Sequence, residues 1–261
     1  MSNFFSLESP FYKFMSRLFD MLKLNVLWLL CSGLAAKFVV EYFLLYFGLE
    51  SLRALSFLPL IFMGAATTAV YTITLRMVDE QEGYIAAPFF QAFKENMKKG
   101  CLLGIIQMAA AYAIYIDFQF YKHATQNNTM FLVAGVIGIV LTIMLTLYAF
   151  PLLARYENSL INTMRNSYAI VIRYFPRTIF LLIIIVVELV VIFWNNTTVF
   201  LGILIGPSCI MLTVSGIAMY VFRKIEEQNG TAAEEETAEE ELIETEETIE
   251  EEAIEMQEEE K

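Results

Sequence analysis

Cysteine, histidine and charge are scarce in this chain of 261 residues. It contains three Cys, one His and 18% charged residues, against 57% hydrophobic residues. Cys31, Cys101 and Cys209 lie far apart in apolar segments without a Cys-x-x-Cys pair, which predicts neither disulfides nor a metal site. The single His123 stands beside Lys122, and the sequence has no nucleophile elbow and no glycine-rich phosphate loop. We therefore predict that the protein is not an enzyme and binds no metal or cofactor.

Long apolar segments are abundant instead, and the mean hydropathy is +0.57. A helix needs roughly 20 apolar residues to cross about 30 Å of hydrocarbon. Its backbone must be hydrogen-bonded within the segment, and a β-barrel would show alternating ten-residue strands. The sequence predicts an all-α, polytopic membrane helical bundle with about six transmembrane helices, near Leu24–Val40, Leu55–Leu75, Cys101–Phe120, Met130–Phe150, Thr178–Trp194 and Thr198–Val221.

Basic residues are distributed unevenly between the two faces of this arrangement. Of the 16 Lys and Arg residues before position 225, 13 fall on one face and three, Lys37, Arg53 and Lys122, fall on the other. Basic residues near span ends stay in the cytoplasm, so we predict a multi-pass protein of the cell membrane with both termini cytoplasmic. Asp20 and Lys23 interrupt the first segment, and no small-residue cleavage site follows, so a cleavable signal peptide is not predicted.

Charge also separates a membrane domain, residues 1–224, from an acidic tail, residues 225–261. The first part holds 16 basic and 11 acidic side chains, whereas the tail holds 18 Glu and one Lys. So dense a run of like charge predicts disorder or a fraying solvated helix. Leu242, Ile249 and Met256 recur every seven residues, which also suits a weak partner-binding stripe. The scattered basic residues do not predict a nucleic-acid partner.

Three segments outside the spans mix apolar side chains with Lys and Arg, and each is too polar to span. They lie near 8–22, 84–99 and 156–175 and predict amphipathic interfacial helices on the cytoplasmic side. Pro10-Phe11 and Pro88-Phe89 open the first two of them. A repeated unit of an elbow helix followed by a helical hairpin is one interpretation of this pattern, and independent linkers are the other.

A charge inside a span is the sharpest functional indication in the sequence. Glu188 lies on the order of 10 Å inside the outer end of the fifth span, where an ionised side chain is costly and needs a partner or a proton. Lys37, Lys122 and Gln107 are the candidate partners. A proton or substrate relay fits this pattern, and so does a structural ion pair or a protonated carboxyl. Lys37 and Glu41, one helical turn apart, also suit a pair of their own.

Small residues indicate where neighbouring helices approach each other. Gly64 and Thr68 belong to a run of small residues on the second span, and Gly202 and Gly206 have small-x-x-x-small spacing. Such surfaces allow two backbones to pack closely within a membrane.

Prolines and aromatic residues mark kinks and membrane interfaces. Pro59 and Pro207 predict kinks or breaks, whose freed carbonyl groups line a cavity in some transporters but more often serve packing. Asn25 and Trp28 are predicted to anchor the inner end of the first span at the interface, and Trp194 the outer end of the fifth.

Four motifs in order along the chain resemble the YesL-like family of bacterial integral membrane proteins. They are Leu24-Asn25-x-x-Trp28, Pro59 followed by Gly64-Ala65-Ala66-Thr67-Thr68, Phe89-Phe90-x-x-Phe93-Lys94-x-Asn96, and Tyr148-x-Phe150-Pro151-Leu152-Leu153-Ala154-Arg155-Tyr156. The family is mainly Gram-positive and is grouped under a domain of unknown function. The resemblance covers roughly residues 1–224. It implies a membrane protein often associated with carbohydrate uptake and degradation genes, without catalytic residues to assign.

Two functions of different classes are consistent with these observations. The first is a non-enzymatic accessory or scaffold protein for carbohydrate uptake or utilisation, whose partners are the lipid bilayer and a membrane transport complex. The second is a small-solute transporter with a polar cavity around Glu188, Pro59 and Pro207. A central cavity lined by Glu188, Gln107 and Thr68 would favour transport, whereas a tightly packed bundle would favour the accessory role. The sequence leaves the oligomeric state open.

Overall fold

The regular structure of the protein is helical throughout the residues that the computed structural model describes, 10–80, 83–123 and 129–259. One 3₁₀ helix, Glu50–Phe62, interrupts a series of α-helices. These are α1 (Pro10–Cys31), α2 (Leu34–Tyr46), α3 (Met63–Val78), α4 (Ala86–Glu95), α5 (Met97–His123), α6 (Thr129–Arg155), α7 (Leu160–Arg173), α8 (Phe175–Ile192) and α9 (Asn196–Glu259). The predicted all-α class is confirmed.

Five helical segments are long and apolar enough to cross a membrane. They are Glu50–Val78, Met97–His123, Thr129–Arg155, Phe175–Ile192 and Asn196–Gly230. A sixth span exists if Met15–Cys31 and Leu34–Tyr46, which are bent by 44° relative to each other, are counted as one. The chain is thus a polytopic helical bundle, with helix at each of the six predicted span positions.

The first span differs from its prediction as one uninterrupted helix over Leu24–Val40. α1 ends at Cys31, α2 begins at Leu34, and Gly33 between them has a φ of 76°. A Cβ atom at Gly33 would lie 1.9 Å from the carbonyl oxygen of Pro59. Glycine suits this position because it adopts a positive φ easily and leaves room for the neighbouring backbone. Hydropathy does not report the break, since the residues on both sides of it are apolar.

The second span combines two kinds of helix. Its first half is the 3₁₀ helix Glu50–Phe62, which contains Pro59, and its second half is α3. A 3₁₀ helix of 13 residues is unusually long, because its hydrogen bonds are less well aligned than those of an α-helix. Ten of the 16 residues of α3 are buried, among them Gly64 and Thr68. α3 therefore lies at the centre of the bundle.

Glycine residues bring α5 against α3. A Cβ atom at Gly64 would lie 2.0 Å from the carbonyl oxygen of Gly100, and one at Gly104 would lie 3.0 Å from the Cα atom of Gly64. Within lipid, such close backbone contact gives the van der Waals packing that holds helices together. The two helices cannot approach this closely with a larger residue at Gly64.

Helices α4 and α7 stand where interfacial helices are predicted, near 84–99 and 156–175, and each buries one face in the bundle. α4 packs against α3 and buries Phe89 and Ala92. α7 packs against α6, and its buried Ser167 donates to two backbone carbonyl oxygens of α6 at 3.0 and 3.1 Å. The third predicted segment, near 8–22, corresponds to the start of α1, and its first two residues lie outside the described part of the chain.

Large exposed apolar side chains are concentrated away from α3. They lie on α2, the 3₁₀ helix, α5, the first half of α6, and α8, and include Phe38, Phe57, Tyr112, Ile137, Phe180 and Val190. Exposed apolar side chains in this number mark contact with a membrane or a partner. The exposed faces of α4 and α7 carry polar residues as well, including Gln91, Lys94, Asn162 and Arg165.

The acidic segment continues α9 as a helix as far as Glu259. The sequence predicts disorder or a solvated helix for this segment. Glu, the commonest residue of this segment with 18 copies, favours helix, and a helix already formed extends at little cost. The chain divides into two compact units, Met1–Ala218 and Met219–Lys261, and the acidic segment belongs to the second. Side chains beyond Gly230, including the predicted heptad stripe, lie outside what the structure describes.

Candidate functional site

Glu188 lies on α8, one helical turn before the end of that helix at Ile192, and lines a cleft between α8 and α9. The cleft has a volume of about 310 Å³, at the low end of the range for small-molecule pockets. Six aliphatic side chains form most of its wall: Val187, Val191, Ile192, Leu201, Ile205 and Ile210. The site is therefore an apolar cleft whose lining includes one acidic residue, Glu188.

The carboxyl group of Glu188 has one protein partner in the described part of the chain. The hydroxyl of Thr213 on α9 donates to its Oε1 atom at 2.5 Å, whereas its Oε2 atom is buried without a hydrogen-bond donor. A short bond of this length is typical of a hydroxyl that donates to a carboxylate. Thr213 is a residue that the sequence analysis missed.

None of the three partners predicted for Glu188 contacts it in the described structure, which corrects that prediction. The amide of Gln107 donates to the hydroxyl of Thr146 at 2.8 Å, within the α5–α6 pair. The ammonium group of Lys37 pairs with Glu41, one turn further along α2. Lys122 is exposed at the last turn of α5. None of the three completes an ion pair with Glu188 in the described structure.

Gly202 and Gly206 determine how closely α9 approaches the end of α8. A Cβ atom at Gly202 would lie 2.5 Å from Cγ2 of Ile192, and one at Gly206 would lie 2.9 Å from its Cδ1 atom. Both glycines also line the cleft. The predicted small-x-x-x-small pair therefore lies at a helix contact and leaves the cleft open beside it.

Asn25 and Pro207 meet at a second contact of α9, with α1. The side-chain amide of Asn25 donates to the carbonyl oxygens of Ile203 and Leu204 at 2.8 and 2.9 Å. Proline has no N–H, so the carbonyl four residues before Pro207, that of Ile203, has no donor within its own helix. In return, the hydroxyl of Ser208 donates to a carbonyl oxygen of α1 at 2.9 Å. The carbonyl freed by Pro207 is used for helix packing.

The prediction of Asn25 and Trp28 as interface anchors is wrong, because both side chains face the bundle. Asn25 is completely buried and Trp28 is 8% exposed. The indole N–H of Trp28 donates to the hydroxyl of Thr67 on α3 at 3.1 Å. Trp194 is 76% exposed in the turn between α8 and α9, at the end of the fifth span as the sequence analysis places it.

Two of the three basic residues on the sparsely charged face share one acid. The guanidinium of Arg53, on the 3₁₀ helix, donates from Nε and Nη2 to Oε1 of Glu41 at 2.8 and 2.6 Å. Lys37 pairs with the other carboxylate oxygen, Oε2. This three-residue cluster joins α2 to the 3₁₀ helix.

The described structure does not bring Glu188, Gln107 and Thr68 into one cavity. The buried hydroxyl of Thr68 donates to the backbone of Gly64 at 2.9 Å, one turn back on α3. Pro59 lies against the backbone of Gly33, at the break in the first span. Among the described residues, no group of three His, Cys, Asp or Glu side chains is placed to hold a metal ion.

Residues 21–118 match the model of a family described as "Protein of unknown function, DUF624". The matched segment begins within α1 and ends within α5, and the YesL-like resemblance is consistent with it. No curated protein and no solved structure matches the chain. The family match brings no activity with it, so a function has to be argued from the geometry.

Proposed function

We propose that the protein is a non-enzymatic integral membrane protein that acts as an accessory or scaffold component of a membrane assembly. The observation that carries this proposal is that polar side chains between the helices of the first unit hydrogen-bond to neighbouring helices. The amide of Asn25 bonds to α9, the hydroxyls of Thr74 and Ser215 lie 2.6 Å apart between α3 and α9, and Gln107 bonds to α6. These groups stabilise helix contacts and do not line a passage.

The packing around α3 supports the same interpretation. The backbones of α3 and α5 touch at Gly64 and Gly100, so the centre of the bundle has no space for a solute at this level. The cleft at Glu188 lies at the side of the bundle, between two helices. We therefore favour the accessory role over the small-solute transporter.

The expected partner is a membrane transport complex for carbohydrates. This context comes from the YesL-like resemblance. A contact surface for such a partner is available on α7, where Ile161 and Ile172 are 76% and 70% exposed beside polar residues. Exposed aliphatic side chains on an otherwise polar helix are the kind of feature that a protein partner covers.

Photo-crosslinking in native membranes tests the contact surface. A photoreactive amino acid at Ile161 or Ile172 should crosslink to a transporter subunit, whereas the same amino acid at Ile170, which is 6% exposed on the same helix, should not. The crosslinked partner is identified by mass spectrometry. Equal crosslinking at all three positions, or no protein crosslink at either exposed position, would contradict the proposal.

Reconstitution separates the accessory role from transport. Purified protein in sealed vesicles should accumulate no labelled sugar, whereas deletion of the gene should lower sugar uptake by cells. The variant Glu188→Gln should restore uptake as well as the unaltered protein does. Sugar accumulation by vesicles that contain this protein alone would overturn the accessory proposal in favour of a transporter.

A further inference from the structure

The cluster of Lys37, Glu41 and Arg53 contains two cations and one carboxylate. In the described part of the chain, Glu41 is the one acid within salt-bridge distance of either cation. Glu50, three residues before Arg53, makes a salt bridge with neither of them. A charge close to the hydrocarbon of a membrane is costly unless an opposite charge neutralises it. The cluster therefore lacks one anion.

The cluster lies close to the membrane surface on the sparsely charged face. Arg53 is three residues after the start of the 3₁₀ helix at Glu50, about 6 Å along its axis. Glu41 is five residues before the end of α2 at Tyr46, about 8 Å along that helix. Lys37, one turn deeper, extends its ammonium group to Glu41, as long basic side chains do near a membrane surface. These depths suit the border between lipid head groups and acyl chains.

Arg53 is the member of the cluster that a ligand can reach. Its Nε and Nη2 groups contact Oε1 of Glu41 at 2.8 and 2.6 Å, whereas its Nη1 group has no partner among the described residues. Its side chain is 60% exposed, against 15% for that of Lys37. A guanidinium group matches the geometry of phosphate oxygens with paired N–H donors. Arg53 can thus bind a phosphate group directly, and Lys37 contributes mainly its charge.

Exposed apolar side chains flank the cluster. The Nζ atom of Lys37 lies 4.7 and 5.2 Å from the ring centroids of Phe38 and Phe57. Both rings are more than half exposed, and so are the neighbouring side chains of Tyr42 and Leu58. Apolar surface of this kind in a membrane span contacts acyl chains. The anion that completes the cluster is therefore one that is itself attached to acyl chains.

We propose that the cluster of Lys37, Glu41 and Arg53 binds the phosphate group of an anionic phospholipid in the leaflet on this face. In the orientation predicted from the sequence, this is the outer leaflet. A zwitterionic lipid binds less tightly, because the choline group of phosphatidylcholine cancels the charge of its own phosphate. One basic residue near the surface strengthens binding to anionic lipid about fivefold. No residue of the site lies on α7, so the site stands independently of the accessory role.

Quenching of a tryptophan at the site measures this preference. Phe57→Trp places the reporter beside Lys37, and Trp194→Phe removes the exposed tryptophan of the chain. Trp28 is buried and adds the same background to every variant. The full-length reporter protein is reconstituted in phosphatidylcholine vesicles that contain increasing amounts of phosphatidylglycerol with brominated acyl chains, and brominated phosphatidylcholine is the reference. Phosphatidylglycerol should bind about fivefold more tightly than phosphatidylcholine.

Charge variants assign the preference to the cluster. Arg53→Gln and Lys37→Gln each leave the site neutral, so each should reduce the preference about fivefold and make the two lipids equal. Arg53→Lys keeps the charge and should retain the preference. Lys122→Gln removes one positive charge from the same face outside the cluster and should change nothing. Thermal unfolding shows which variants are folded, and Arg53→Gln, at an exposed side chain, decides the test if Lys37→Gln does not fold.

Three outcomes would overturn the proposal. Equal affinity of the unaltered site for the two lipids would mean that the cluster only joins α2 to the 3₁₀ helix. An equal loss in Lys122→Gln and Arg53→Gln would mean that the whole face attracts anionic lipid without a defined site. Displacement of phosphatidylglycerol by inorganic phosphate would mean that the site takes a soluble anion.

Discussion

The bond between Asn25 and the carbonyl group that Pro207 frees can be tested by a double-mutant cycle. Asn25 lies on α1 and is fully buried, and its Nδ2 atom is 2.8 Å from the carbonyl oxygen of Ile203. With an N–H at position 207, that oxygen would accept a helical hydrogen bond instead. The side chain on α1 thus replaces a donor that α9 lacks.

The expected loss of stability follows from the bond between Asn25 and Ile203 and from the helical bond that Pro207 prevents. Asn25→Leu keeps the volume of the side chain but leaves the Ile203 carbonyl without a donor in a buried place. An orphaned buried group costs about 1–3 kcal/mol, and interhelical hydrogen bonds in membrane proteins average about 0.6 kcal/mol. Asn25→Leu also removes the buried Oδ1 atom of Asn25, which has no hydrogen-bond donor in the described structure, so we expect it to lower the free energy of unfolding by about 1 kcal/mol. In a Pro207→Ala background the alanine N–H bonds to Ile203, and the loss should fall below about 0.7 kcal/mol.

Unfolding by sodium dodecyl sulfate in mixed micelles gives the four free energies of the cycle. Thr74→Val is the matched control, because it removes a different buried bond of α9, the one between Thr74 and Ser215. In the double variant, the losses of unfolding free energy caused by Thr74→Val and Pro207→Ala should add to within about 0.5 kcal/mol, as expected for independent sites. The reasoning is refuted if the cost of Asn25→Leu is the same with and without Pro207.

Two further predictions concern packing and orientation. Gly64→Ala should destabilise the protein by about 2 kcal/mol or more, because its Cβ atom would lie 2.0 Å from a backbone oxygen of α5. Gly216→Ala is the control, because nothing lies within 4 Å of a Cβ atom at that position. Equal thermal unfolding of the two variants in detergent would disprove the close contact. In a cysteine-free background, Lys122→Cys should react with an impermeant maleimide on intact cells and Lys98→Cys only after permeabilisation. The opposite pattern would reverse the orientation predicted from the sequence.

The helices themselves could be predicted, because their apolar segments are long and carry few charged residues. The break at Gly33 could not, since its cause is the backbone of Pro59, which approaches from 26 residues further along the chain. Hydropathy averages over a window and records no such contact. The same limit applies to the 3₁₀ helix, whose residues are as apolar as those of an α-helical span.

Asn25 and Trp28 show why the sides of a helix are harder to predict than its ends. A Trp near the end of a span favours the interface only if it faces lipid. Here both residues face other helices, and each has a specific partner there, the Pro207 region for Asn25 and Thr67 for Trp28. A polar residue near the end of a span can lie at the membrane interface or in a buried contact with another helix. Only the position of the neighbouring helix decides between these two possibilities.

The partner of Glu188 illustrates a further limit, that of register. In an evenly paired hairpin, the residue opposite Glu188 would lie as far after the turn at Trp194 as Glu188 lies before it, near position 200. Thr213 lies 13 residues further along, about three and a half helical turns. The register of two helices depends on how they cross, which at this hairpin involves Gly202, Gly206 and Ile192. Spacing along the chain does not contain that information.

Two of the three basic residues on the sparsely charged face have a structural explanation that bears on the predicted orientation. Lys37 and Arg53 both bind Glu41, so each is held at its position by the contact between α2 and the 3₁₀ helix. Cations that are needed for a helix contact are poor reporters of orientation, because packing requires them whichever face they occupy. Setting these two aside leaves Lys122 on this face. The same consideration applies to the other face, where Arg17 contacts the backbone of Met77, Lys99 the backbone of Asn158, and Arg155 the carboxylate of Asp79. Lys122 is exposed at the last turn of α5, so it is the position on the sparsely charged face at which the predicted orientation is best tested.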